Sequence, residues 1–210
     1  MAVYDLEEQE QIAQIKAWWE QYGNRTVAVL LVVAIGFAAW TGLRRYRDGN
    51  AAEAGVLYAE LQQAADVADA QRSRELAGRL IDKYDGTVQA QLGALLSAKV
   101  QFQKNELDNA SSQLEWAASK GKDPELRELA RLRLATVLLQ KADFDGALSR
   151  LQPAPEGVWR ARFEDLRGDV LAAQGKLGDA RAAWRAALDA FDGTDPLRES
   201  VRAKLESSEG

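Results

Sequence analysis

Eighteen consecutive uncharged residues, Thr26 to Leu43, stand near the start of an otherwise polar chain, with Arg25 on one side and Arg44, Arg45 and Arg47 on the other. As a helix rising 1.5 Å per residue this segment reaches about 27 Å, close to the roughly 30 Å hydrocarbon core of a bilayer. Its strongly apolar residues (Val27, Val29, Leu30, Leu31, Val32, Val33, Ile35, Phe37 and Leu43) each favour insertion by roughly 0.3 to 0.6 kcal/mol, on the order of 3 to 5 kcal/mol together, with no charge opposing them. A cleaved signal peptide fits poorly. The preceding segment carries Asp5, Glu7, Glu8, Glu10 and Glu20, and Arg-Arg-Tyr-Arg follows in place of a small-residue cleavage site. A core helix of a soluble protein is rarely apolar all round for five turns. The segment therefore predicts a spanning helix over residues 25–46.

Aromatic side chains gather at both ends of that span: Trp18, Trp19 and Tyr22 before it, Trp40 and Tyr46 near its close. Amphipathic rings settle at the headgroup level, so these residues, with Arg44, Arg45 and Arg47, are the expected membrane-interface set against the lipid bilayer. Upstream, Ile12, Ile15, Trp19 and Tyr22 recur at helical spacing, which predicts a short amphipathic helix from about Leu6 to Gln21, ended by Gly23 and Asn24. It reads as an interfacial helix, with a partner-binding helix as the alternative.

The chain of 210 residues has no Cys and no His. A thiol nucleophile, an imidazole base, a Cys/His zinc site and a disulfide are all excluded by composition. Residues 1–47 balance their charges, so the formal net charge of -5 belongs to the remainder. No basic stripe with interleaved aromatics occurs there, which argues against nucleic acid as a partner.

Beyond Tyr46 the sequence is rich in Ala, Leu, Gln, Glu, Arg and Lys, and its prolines (Pro124, Pro153, Pro155 and Pro196) all come late. Breakers at Asp85-Gly86, Lys104-Asn105, Gly121 to Pro124, Lys141 to Asp143, Pro153 to Gly157 and Gly175-Lys176 divide it into antiparallel helix pairs. The strings KNELDNA, KADFDGA and GKLGDA, at Lys104, Lys141 and Gly175, share one phase. Each has an apolar residue (Leu107, Phe144, Leu177) three positions before an alanine (Ala110, Ala147, Ala180). A bulky residue follows four positions on (Leu114, Leu151, Trp184) and a second alanine at plus seven (Ala117, Ala154, Ala187). A weaker copy puts Ala77 in that phase. A repeat near 34 residues made of helix, turn and helix resembles the tetratricopeptide repeat. In that register small residues are expected at Ala65, Ala98, Ala135 and Gly168, while the usual aromatic three positions later is absent. Thr194-Asp195-Pro196 opens a final cap helix running to about Leu205, with Ser207 to Gly210 frayed.

No catalytic constellation stands out. Asp165 and Asp169 lie one helical turn apart, as solvated carboxylates on helices commonly do, and Gly175-Lys176-Leu177-Gly178 lacks the strand and the Lys-Ser/Thr ending of a phosphate loop. No cofactor and no metal are expected. By analogy with tetratricopeptide arrays, whose first helices line the concave face, Leu95, Lys99 and Phe102 with Leu132, Thr136 and Leu139 form a candidate protein-binding groove. The same apolar residues suit packing between helices equally well.

The full layout resembles the YfgM family, ancillary subunits of the bacterial Sec translocon: an acidic N-terminus with IKAWWEQYG, one spanning helix into RRYR, then divergent repeats including KNELDNA and the stretch Gly168 to Trp184. The expected fold is all-α, a single N-terminal transmembrane helix followed by a divergent tetratricopeptide-like helical-hairpin solenoid. The resemblance implies a non-enzymatic bitopic inner-membrane protein. Residues 1–24 would be cytoplasmic, 25–46 would span, and 47–210 would form a periplasmic domain of about four hairpins plus a cap. Implied partners are the SecYEG translocon, a PpiD-like membrane-anchored chaperone and exported client proteins. The charge count points the other way by one residue, with Lys16 and Arg25 before the span against Arg44, Arg45 and Arg47 after it. A cytoplasm-facing, membrane-tethered adaptor for assembly of another complex is thus the alternative.

Overall fold

A computed structural model describes residues 2–208, with side chains described except at 2–10, 15 and 43–48. It is helical throughout, with no strand among the described residues, and divides into two compact units, residues 1–49 and 50–210.

The first unit consists of the N-terminal part of helix α1 (Ala2–Asp66), which runs through Gly23 and Asn24, where the sequence predicted an end. A glycine inside a helix costs only about 1 kcal/mol relative to alanine, too little to interrupt propagation from both sides. Gly23 also lies under the Trp19 indole, whose atoms would stand 3.2 Å from an added Cβ. From Gln11 to Gly42 the helix is long and apolar enough to cross a membrane, and its most apolar 18-residue window is not buried. The two threonine hydroxyls in this stretch bond to their own helix, Thr26 to the Tyr22 carbonyl (3.0 Å) and Thr41 to that of Phe37 (2.9 Å), which is how polar groups become tolerable in hydrocarbon.

In the second unit the C-terminal part of α1 packs on α2 (Ala70–Tyr84) through Leu57, Leu61 and Ala64 against Leu76, Ala77 and Leu80, while α3 (Val88–Gln103) pairs with α4 (Leu107–Lys120), α5 (Pro124–Gln140) with α6 (Phe144–Arg150), and α7 (Arg160–Ala173) with α8 (Leu177–Ala190). Helix α9 (Leu197–Ser207) packs on α8. Side-chain caps start several of these helices: Asp69, Thr87, Asp123 and Asp143 each accept a backbone N–H three residues on. Helix α9 has Pro196 at its N-cap, and Asp195 just before it accepts from Leu197 N at 2.9 Å.

The four hairpins turn in one way. Ala68, Asn105, Ala142 and Gly175 all adopt positive φ, between 52° and 79°. The residue after each donates its N–H to a carbonyl five positions back: Asp69 to Ala64, Glu106 to Gln101, Asp143 to Leu138 and Lys176 to Leu171, at 2.8 to 3.0 Å. These are Schellman turns. Asn and Gly take the left-handed region at little cost, whereas alanine there costs roughly 1 to 2 kcal/mol, which hides the turn at Ala68, while the polar residues Lys141 and Asp143 on either side mark the one at Ala142. The Ala68 turn carries no Gly, Asn or Pro and was not predicted.

Counting from these turns corrects the phase of the first hairpin. Ala110, Ala147 and Ala180 each follow their left-handed residue by five positions, but Ala77 follows Ala68 by nine. Ser73 is the true counterpart, and it is fully buried. The error is one helical turn, which preserves the face, so Ala77 is buried as well. Leu61, not Ala65, then corresponds to Ala98, and the bulk of Leu61 is accommodated by Gly93, where an added Cβ would stand 2.6 Å from Leu80 and 3.2 Å from Leu61. Ala154 does not continue its helix either. Helix α6 stops at Arg150 because Pro153 has no N–H and its predecessor avoids the α region.

The phase-marking alanines Ala110, Ala147 and Ala180 have no exposed surface. Replacing any one by leucine should overpack its helix crossing and cost about 1 to 3 kcal/mol, while leucine at exposed Ala182 should be nearly neutral. Thermal unfolding of residues 50–210 would show the difference, and equal melting temperatures would refute the assigned register.

Candidate functional site

Between α3 and α5, over Leu114 of α4, lies a groove of about 270 Å³ lined by Ala98, Lys99, Phe102, Leu114, Arg133, Thr136 and Val137. Three of the six residues expected at a groove meet here: Lys99, Phe102 and Thr136. The other three pack. Leu95 is buried among Ala94, Ala98 and Leu134, and Leu132 and Leu139 are half-buried against the cluster of Ala135, Ala147, Leu151, Phe163 and Val170. Helical period does not make the division, because Leu95, Lys99 and Phe102 are spaced by four and three and share one face, as do Leu132, Thr136 and Leu139; which of them pack is set by the neighbouring helices that cover them. Arg133 was missed. It precedes Thr136 by three positions on α5, and that spacing alone put it on the groove face.

The groove is apolar in its walls and cationic at its edge. Phe102 keeps 37% of its surface exposed. Lys99 is the sole charged residue of α3, and neither it nor Arg133 makes an ion pair or hydrogen bond among the described residues. Neighbouring cations are engaged: Lys141 with Asp108, Arg150 with Glu115, and Arg131 with Glu128. Partial burial lowers the Arg133 guanidinium from its ordinary value.

Asp165 and Asp169, the carboxylate pair noted in the sequence, converge on Lys204 of α9, at 2.7 and 2.8 Å. Asp169 also accepts the Trp184 indole N–H at 3.1 Å. Trp184 in turn lies against Gly168, where an added Cβ would come within 2.4 Å of the ring. The pair latches the cap helix. Burial raises Asp165, partly offset by the hydrogen bond from Lys204 and reinforced by the charge of Asp169. Burial pushes Lys204 down, but the hydrogen bonds to Asp165 and Asp169 and their charges outweigh it and leave the amine raised. A raised lysine contributes stability in full below its unfolded value of about 10.4 and loses it as pH rises through the folded value. A raised aspartate likewise favours the folded state in acid. Cap docking should therefore be strongest in acid, lose the Asp165 contribution as pH rises through that carboxyl's raised value, and weaken again above about pH 10.5, where Lys204 begins to lose its proton. Lys204→Met should cost roughly 1 to 3 kcal/mol at pH 7.5 and remove the alkaline loss, both readable as amide exchange in α9.

In the N-terminal unit Trp18 stacks obliquely on Trp19 and Tyr22 (centroids 6.4 and 6.0 Å apart), and Phe37 on Trp40 at 6.0 Å. Trp18, Trp19, Tyr22 and Trp40 are all exposed. The side chains of Arg44, Arg45, Tyr46 and Arg47 lie outside the described ones.

Residues 16–209 match the family model of the tetratricopeptide repeat-like domain. The chain is 30% identical over 203 residues to the ancillary SecYEG translocon subunit of Neisseria gonorrhoeae, covering 96% of this chain and 97% of that protein. It belongs to the YfgM family. The ancillary SecYEG translocon subunits of Escherichia coli (28% identical over 209 residues, 98% of each chain) and Haemophilus influenzae (26% over 202 residues, 96% and 98%) are similar over the same extent. The likeness to these YfgM-family relatives takes in the N-terminal apolar helix as well as the hairpins. The Schellman turns and buried alanines described above are the physical content of the repeat-like match.

Proposed function

We propose that this protein is a membrane-anchored interaction scaffold of the Sec translocon. The observation that carries the reading is likeness along nearly the whole chain to ancillary SecYEG translocon subunits, apolar helix included. In this reading residues 25–46 span the bacterial inner membrane once, residues 1–24 face the cytoplasm, and 47–210 stand in the periplasm. Trp18, Trp19, Tyr22, Trp40, Arg44, Arg45, Tyr46 and Arg47 seat the helix at the two lipid interfaces. The helical domain is held beside SecYEG, where it assists a PpiD-like membrane-anchored chaperone with newly exported clients. Its part is binding and not catalysis, since Asp165 and Asp169 are both committed to Lys204.

Affinity purification of the full chain should retain SecYEG, and replacing residues 25–46 by an unrelated spanning helix or deleting 50–210 should identify which unit carries that contact. Retention of no translocon component by the intact chain would overturn the reading. The arginines after the span favour a cytoplasm-facing adaptor as the second reading. Protease added to spheroplasts should digest the helical domain; protection until detergent is added would establish the second reading instead.

A further inference from the structure

We propose that the groove between α3 and α5 recognises a linear peptide stretch in which one large apolar side chain is flanked by carboxylates. The volume of about 270 Å³ is below the roughly 300 to 1,000 Å³ of sites that enclose whole small molecules. It is of a size for one large side chain. Phe102, Leu114 and Val137 supply apolar walls for that side chain, and Phe102 is left partly exposed.

Charge selects the flanks. Lys99 and Arg133 stand on adjacent first helices at the groove edge, and the carboxylates of intervening α4 are occupied elsewhere, Asp108 by Lys141 and Glu115 by Arg150. In a chain of net charge -5, two uncompensated cations beside an apolar slot form a local complement to an anion. A partly desolvated guanidinium gains more from a carboxylate than a fully hydrated one does. Two cations and one exposed ring are too few for a nucleic-acid track.

This inference rests on the reading that the domain binds protein, and its test is independent of translocon retention. Full-length protein in phosphatidylcholine nanodiscs would be titrated, by fluorescence anisotropy, with labelled heptapeptides of sequence Gly-Ser-Asp-Phe-Glu-Ser-Gly, with amide counterparts (Asn, Gln) at the acidic positions, and with Ala in place of Phe. The acidic peptide should bind about tenfold more tightly than the amide one, as expected when charge-assisted bonds are lost, and added salt should narrow the gap. The Ala peptide should bind weakly. A Lys99→Glu, Arg133→Glu variant should prefer a Lys-Phe-Lys peptide, a gain that misfolding does not produce. Equal affinity for acidic and amide peptides, with Phe102→Ala abolishing both, would leave a protein-binding groove but overturn the charge selection. Absence of any peptide binding would overturn the inference, as would binding of short-chain phosphatidylglycerol alone, which would make the groove a lipid headgroup site. SecYEG retention alongside any of these results would leave the translocon reading in place.

Discussion

Replacing Phe163 by alanine should destabilise the helical domain by about 3 to 5 kcal/mol, lowering its melting temperature by roughly 10 °C. Phe163 is fully buried at the junction of the third and fourth hairpins, with Ala135, Ala147, Leu151 and Val170. It stands twelve positions before its left-handed turn residue, as Gly93 and Ala130 do in the two preceding hairpins. The ring fills the volume left where α6 ends early. It also carries the Arg131 guanidinium at 5.1 Å, and that guanidinium donates to the carbonyls of Arg150 and Pro153 at 3.0 to 3.2 Å. Truncation would therefore open a cavity and release the irregular linker after α6. Because repeat arrays couple mainly to their neighbours, hydrogen exchange should rise first in α6 to α8. A loss below about 1 kcal/mol would show that the cluster collapses to fill the space.

Gln91→Leu should cost about 3 kcal/mol in the same domain, although the substitution makes α3 more apolar. The Gln91 side chain is fully buried. Its amide N–H group donates to the carbonyls of Ala117 and Asp123, both at 3.1 Å, and its carbonyl accepts from Asp123 N at 2.9 Å. One side chain thus satisfies the end of α4 and the start of α5, where free backbone groups would otherwise be orphaned. Gly121 makes this approach possible: a Cβ there would stand 2.0 Å from the Gln91 amide nitrogen. Leucine would leave the Asp123 N–H without its partner and take a donor from the carbonyls of Ala117 and Asp123, the latter keeping only the Arg127 N–H. Chemical denaturation should show a lower midpoint, and Gln91→Glu should be no milder than leucine, since it buries a charge without restoring the donor.

Much of this architecture was legible because helical period and turn chemistry are local. The three hairpins opened by Lys104, Lys141 and Gly175 were phased correctly, their alanines are buried, and the breakers from Asp85-Gly86 onward fall between helices. The first hairpin was misplaced by one turn. Ala68 adopts a left-handed conformation that no alanine signals, and Ala77 remains on the buried face after a shift of four. Gly23 and Asn24 misled in the opposite sense, since breakers weaken a helix without necessarily ending it. The candidate groove was half legible: Lys99, Phe102 and Thr136 converge, Leu95, Leu132 and Leu139 pack, and Arg133 was overlooked.

Sequence alone determined that an apolar helix precedes a run of antiparallel hairpins, because hydropathy and period are properties of consecutive residues. It also determined that thiol and imidazole chemistry are absent, because composition is independent of folding. Only the tertiary structure decided which unpaired cations face a common groove, and that Asp165 and Asp169 hold a cap helix through Lys204. Those outcomes depend on residues 34 to 39 positions apart meeting in space. Distance along the chain carries no record of which side chains will be left without a partner once the hairpins stack.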